Sequence, residues 1–240
     1  MRSEGHAFRA AASADGVLDS PVPSCPGWTV ARLVKHVGRT YQWVASFAGT
    51  GVVERPERPT EDANTLTGEE LVEWWTERYT TLMALLDALD PEQPAWNWAP
   101  QAKRAIFWHR RMAHETAVHR WDAQMAGGLA EPIETKLAVD GIGEVLDTWL
   151  PAGRRKGPTD VAGMIALLAT DVDQVWYVRL RGAGVALLDT DTLLDDDDRH
   201  ERATASGPAS DLLLALWGRV GFDTLEISGD TRLLEGLRTG

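Results

Sequence analysis

Apolar positions repeat every three or four residues through most of the first 150 residues, which is the spacing of a helix face turned to a core. Between residues 29 and 48 the stripe is Val30, Leu33, Val34, Val37, Tyr41 and Val44, with Thr29 placed to cap the helix start. A shorter amphipathic stretch, 3–19, runs through Phe8, Ala11, Ala12 and Leu18. Thr67, Gly68, Glu69 and Glu70 have capping-box spacing and open a third helix that Asp90-Pro91 stops near Leu89. Residues 105–125 contain no Pro or Gly and predict a fourth helix, ended by Gly127-Gly128. A fifth is expected over 134–150. The stretches 49–66 and 91–103 are rich in Gly, Pro and polar residues and read as long connections.

The pattern changes after Pro151. Residues 151–158, P-A-G-R-R-K-G-P, have the composition of a linker. Beyond them, 174–180 (Q-V-W-Y-V-R-L) and 184–188 (G-V-A-L-L) predict two strands around a Gly-containing turn, with 224–228 as a third. A Leu-rich helix is expected over 208–219 and a short one near Leu233. The expectation is an α+β two-domain chain: a four-helix bundle over 1–150, then a small α+β domain over 158–240.

One helical stretch carries chemistry. Residues 114–119 read H-E-T-A-V-H. This is not the metalloprotease motif H-E-x-x-H, whose two histidines are four apart. Here His114 and His119 are five apart, and at about 100° per residue they point roughly 140° from each other. Glu115 and His119 lie only about 40° apart by the same reckoning, so they can grip one divalent ion. On the pair alone, a helix whose His and Glu serve only as satisfied structural groups is the commoner situation. His36 flanks the apolar stripe of 29–48 and is the best candidate for a third ligand. His6, His109 and His200 are weaker by position.

Three blocks resemble a known family. Residues 22–36 (V-P-S-C-P-G-W-T-V-A-R-L-V-K-H) resemble the opening of the mycothiol-dependent maleylpyruvate isomerase family, within the DinB-like metal-binding four-helix bundles. Residues 114–123 (H-E-T-A-V-H-R-W-D-A) resemble its second signature. Residues 212–219 (L-L-L-A-L-W-G-R) and 225–230 (L-E-I-S-G-D) resemble its small C-terminal domain. The resemblance implies a metal, usually zinc, held by His36, Glu115 and His119, and mycothiol as cosubstrate. It also implies an Arg from the C-terminal domain that completes the active site across the domain interface. Arg219 is the best-matching position, although it is also placed to cap helix carbonyls. The implied chemistry is attack of a thiolate on a small electrophile, giving isomerisation or S-transfer. A zinc-hydroxide hydrolase and a non-enzymatic, metal-stabilised binding module are the alternatives for the same residues.

Composition narrows the partners. The 240 residues carry a formal net charge of −12, which argues against nucleic acid and anionic membrane surfaces. No apolar run approaches the ~20 residues of a membrane span, and no signal-peptide core opens the chain. A single cysteine, Cys25, allows no internal disulfide and fits the cytoplasm; a structural role suits it. Eleven Trp stand against three Tyr and four Phe, most of them expected in packing and a minority against ligand. Asp122 is placed either to support a metal ligand or to pair with Arg111 or Arg120. The acid run Asp189, Asp191 and Asp195–Asp198 lacks the Gly and terminal Glu of a calcium loop and reads as a solvated loop.

Overall fold

The computed structural model describes residues 1–59, 63, 65–188 and 202–240. The chain divides into two compact units, Met1–Glu131 and Pro132–Gly240. The acid run and His200 lie outside the described residues.

The first unit is helical: α1 (Arg2–Ala12), α2 (Val30–Phe47), α3 (Gly68–Ala88) and α4 (Ile106–Ala126). α1 is shorter than the predicted 3–19. Gly16, at φ 70°, takes the chain into a left-handed turn, and Val17–Asp19 form a single 3-10 turn. α2 starts as its sequence indicates, with the Thr29 hydroxyl accepting from Arg32 N. α3 starts on the predicted residue, but Thr67 makes no side-chain cap bond. The predicted stripe of α2 is buried in full, together with Phe8, Leu71, Trp75, Leu82, Trp108 and Met112 from the other helices. α2 and α3 meet at Gly38, where a Cβ would stand 2.2 Å from the Trp74 ring. Only hydrogen fits at that crossing.

The second unit is α+β. α5 (Thr135–Glu144) runs into one π-turn, Val145–Trp149. A five-stranded sheet follows, in the order β3-β2-β1-β4-β5. Its strands are β1 (Ala162–Ala169), β2 (Gln174–Arg181), β3 (Gly184–Leu188), β4 (Arg202–Gly207) and β5 (Glu226–Gly229). β1 pairs with β4 in parallel and with β2 antiparallel. β2 and β3 are the predicted hairpin, while β1 and β4 were not expected. β1 (A-G-M-I-A-L-L-A) is built mostly of helix formers without alternation, because it is central and largely buried on both faces. β4 (R-A-T-A-S-G) is made of small residues that carry little pattern. α6 (Ala209–Leu216) and α7 (Thr231–Glu235) pack on β1 and β4. Asp171 Oδ1 accepts from Ala209 N and caps the start of α6.

α6 ends before the predicted Arg219. Gly218 has φ 66°, its N–H reaches Ala215 O, and Arg219 N–H reaches Leu214 O. That pair of bonds is a Schellman stop, and it places Arg219 just beyond the helix.

Candidate metal centre

α2 and α4 pack side by side, and a hydrogen bond at 2.6 Å between Tyr41 and Thr116 fixes their register. The Thr116 hydroxyl is also 2.6 Å from Met112 O, to which it donates its only proton. Tyr41 is therefore the donor of the inter-helix bond. Burial holds the Tyr41 phenol far above its usual range, so this proton stays in place.

One turn from that lock, His36 from α2 meets Glu115 and His119 from α4. His36 Nε2 is 3.3 Å from Glu115 Oε1, and His119 Nε2 is 3.4 Å from the same oxygen. The two imidazole rings are 5.1 Å apart and steeply inclined at 80°. One ligand atom from each residue lies within 4.8 Å of the others, the only such His/Cys/Asp/Glu group among the described residues.

The far side of each α4 group is held. Glu115 Oε2 accepts from Arg111 Nη2 at 2.9 Å. His119 Nδ1–H donates to Asp122 Oδ2 at 2.8 Å. Asp122 is fully buried and also accepts from Ser24 Oγ at 2.5 Å and from Cys25 Sγ at 3.7 Å. Burial opposes the Glu115 carboxylate, but His119, His36 and Arg111 outweigh it and hold Glu115 well below the usual range. Burial likewise opposes a charged His119, but Glu115 and Asp122 prevail and push it up to about 9. These neighbours favour an ionised Glu115 beside a protonated His119 that also faces Asp122.

The cluster fits a metal. Two ligands about 2.0–2.1 Å from a tetrahedral ion stand roughly 3.3 Å apart; Glu115 Oε1 lies 3.3 and 3.4 Å from the two histidine nitrogens, and all three ligand atoms lie within 4.8 Å of one another. The donor set of two imidazoles and one carboxylate is that of an open zinc site. His36 keeps 40% of its side chain exposed, so the site has an open side.

The other histidines are elsewhere. His114 is buried on another face of α4. The ring nitrogens of His109 face Ala105 O and Leu86 O. His6 lies edge-on to Tyr79. Of the tryptophans, Trp28 stands edge-on to His36, with ring centroids 5.0 Å apart. Trp43 and Phe47 of α2, Trp108 of α4 and Trp96 from the loop before α4 form a packed cluster further along the two helices. Ser24 was not singled out in the sequence, and nothing in an isolated loop serine would have marked it. A groove of about 720 Å³ lined by Arg9, Lys35 and Glu69, among others, contains none of the three cluster residues.

Arg219 lies in the second unit. Its Nη1 donates to Trp217 O at 3.0 Å, and its guanidinium carbon is 6.0 Å from the Trp217 ring centre.

The chain is thus a helical unit with a His/Glu/His cluster between two of its helices, followed by a small α+β unit. Residues 1–124 match the model of the mycothiol maleylpyruvate isomerase N-terminal domain, and residues 136–236 that of the same family's C-terminal domain. The chain belongs to the mycothiol maleylpyruvate isomerase family, a family of enzymes. Among solved structures it is similar to mycothiol-dependent maleylpyruvate isomerase, with a TM-score of 0.66 and 16% identity over 95% of this chain and 89% of that one. A histidine-to-alanine variant of that isomerase gives a TM-score of 0.60 and 14% identity over the same shares. A comparison with curated protein sequences gives no match. No described helix is long and apolar enough to cross a membrane.

Proposed function

We propose that this chain is a zinc-dependent enzyme that uses mycothiol, a low-molecular-weight thiol, to isomerise a small electrophile or to transfer the thiol to it. The observation that carries the proposal is the cluster itself: three ligand atoms converge from two helices, with the rear of both α4 groups already hydrogen-bonded. His36 Nε2, Glu115 Oε1 and His119 Nε2 would hold the ion, and a metal so held favours the thiolate form of a bound thiol.

The chain's own residues divide the remaining work. Arg111 keeps Glu115 ionised and turned to the site. Asp122 keeps the His119 Nδ1 proton occupied, which leaves Nε2 for the metal. The only thiol of the chain, Cys25, is engaged with Asp122, so the reacting thiol comes from a cosubstrate. Arg219 is assigned to an anionic group of substrate or cosubstrate, because guanidinium offers a planar two-pronged donor to a carboxylate.

Metal analysis of the purified protein, a mycothiol titration and a maleylpyruvate cis–trans assay test this together. Stoichiometric zinc with saturable mycothiol dependence is expected. Metal-free protein, or turnover indifferent to thiol, would overturn the proposal. Arg219→Lys should keep fold and zinc but lose activity on a carboxylated substrate; unchanged kinetics would remove Arg219 from the site.

A further inference from the structure

The stretch preceding α2 touches His36 of the cluster directly and reaches His119 through Asp122. It is a closed loop: Val22 N donates to Trp28 O, Cys25 N to Val22 O, Trp28 N to Cys25 O and Val30 N to Ser20 O. Its tip is Cys25-Pro26-Gly27-Trp28, with Gly27 at φ 78°. Pro followed by a left-handed Gly at the centre is what a type II turn requires, so the sequence itself stiffens this tip. The stiff loop presents Ser24 and Cys25 to Asp122 on one side and the Trp28 ring to His36 on the other. Arg32, one turn into α2, backs the Trp28 ring at 4.9 Å.

The Ser24 bond has a specific consequence. Asp122 is a fully buried carboxylate, and an ion in that position costs several kcal/mol unless its oxygens are satisfied. Oδ2 receives His119 Nδ1–H, and Oδ1 receives the Ser24 hydroxyl. With Oδ1 taken by Ser24, the carboxylate plane is fixed, and so is the imidazole that donates to its other oxygen. On the opposite side the indole edge of Trp28 limits the swing of His36, which is otherwise half exposed.

We propose that residues 20–29 are the positioning element of the metal centre. Ser24 acts through Asp122 to hold His119 with Nδ1 protonated and Nε2 toward the ion, and Trp28 holds His36. This rests on the zinc reading above. Ser24 is a positioning residue and touches neither metal nor substrate.

The test compares the full-length protein with Ser24→Ala, Ser24→Thr and Cys25→Ala. Zinc affinity is read by chelator competition, and the His119 Hδ1 proton is read by NMR in metal-free protein. Losing an outer hydrogen-bond partner typically weakens metal binding by 10–100-fold. Ser24→Ala should therefore weaken zinc binding about tenfold and shift or broaden the Hδ1 signal. Ser24→Thr should restore both, and Cys25→Ala, which removes a long thiol contact to Asp122 at 3.7 Å, should have the smaller effect. A Ser24→Ala protein with wild-type zinc affinity and a wild-type Hδ1 signal would overturn the proposal. Wild-type protein that takes up no zinc would overturn the metal reading instead; the link from Ser24 to His119 is then decided by the Hδ1 signal alone.

Discussion

The pairing of α2 with α4 has two unlike ends. At one end His36, Glu115, His119, Arg111 and Asp122 meet, and every bond there joins charged or polar groups. Two turns away, Trp43, Phe47, Trp96 and Trp108 pack together, mostly edge to face with Trp96 stacked on Trp108, and the Trp108 indole N–H donates to Trp96 O. The aromatic end is close packing that removes a large apolar area from water. The polar end places ionised groups in a site where their charges must be matched one by one. The helices are therefore held together at one end and kept chemically available at the other. The Tyr41–Thr116 bond lies between the two.

That contrast can be broken from either side. The largest effect is expected from His36→Ala. On the proposed function it removes a ligand from a half-exposed position, so zinc binding should fall by more than the roughly 100-fold that an outer partner can cost. Stability should move by no more than about 0.5–1 kcal/mol. Retained stoichiometric zinc would remove His36 from the ligand set. Trp108→Ala should do the reverse, costing about 3–5 kcal/mol in denaturant unfolding with the zinc affinity of the folded protein preserved. A small stability loss would mean that the aromatic end is not the anchor.

The pH dependence sharpens the polar side. His119 is raised to about 9 from the ordinary value of 6.5. In metal-free protein its contribution to stability is complete below about pH 6.5 and is lost as pH rises through about 9. On the proposed function zinc has to displace that proton, so affinity should fall about tenfold per pH unit below 9. Calorimetry in buffers of different ionisation enthalpy should detect proton release on zinc binding at pH 8; its absence would place the proton elsewhere. Tyr41→Phe is the mildest change. It deletes the donor between the two ends and should cost about 1 kcal/mol, together with a small loss of zinc affinity as the register loosens. An unchanged affinity would show that the two ends do not communicate through this bond.

The aromatic and polar ends were not equally legible in the sequence. The Glu115/His119 pair could be read because four residues on a helix bring two side chains to one face. His36 could be read as a flank of a clear apolar stripe, and the three residues do come together. Asp122 was legible only as two alternatives, and the structure gives it to His119. Ser24 could not be read, since its partner lies on another element and a loop serine has no periodicity. In the second unit the hairpin of β2 and β3 announced itself by its turn and its β-branched residues. β1 did not, because a strand buried on both faces loses the alternation that marks a strand. The early end of α6 came from one backbone angle at Gly218, set where a Gly-Arg pair reads equally well as a helix end one residue later.

The crossing of α2 and α3 ties two positions of the chain to one another. With 2.2 Å between a Cβ at position 38 and the Trp74 ring, the volume is already spent on the indole. The two sites therefore share a single allotment of space. Among sequences that keep this crossing, any side chain at 38 should be accompanied by a smaller residue at 74, and an indole at 74 by glycine at 38. Gly38→Ala alone should be harmful and Trp74→Leu alone should leave a void, yet the double substitution should recover part of what each one loses.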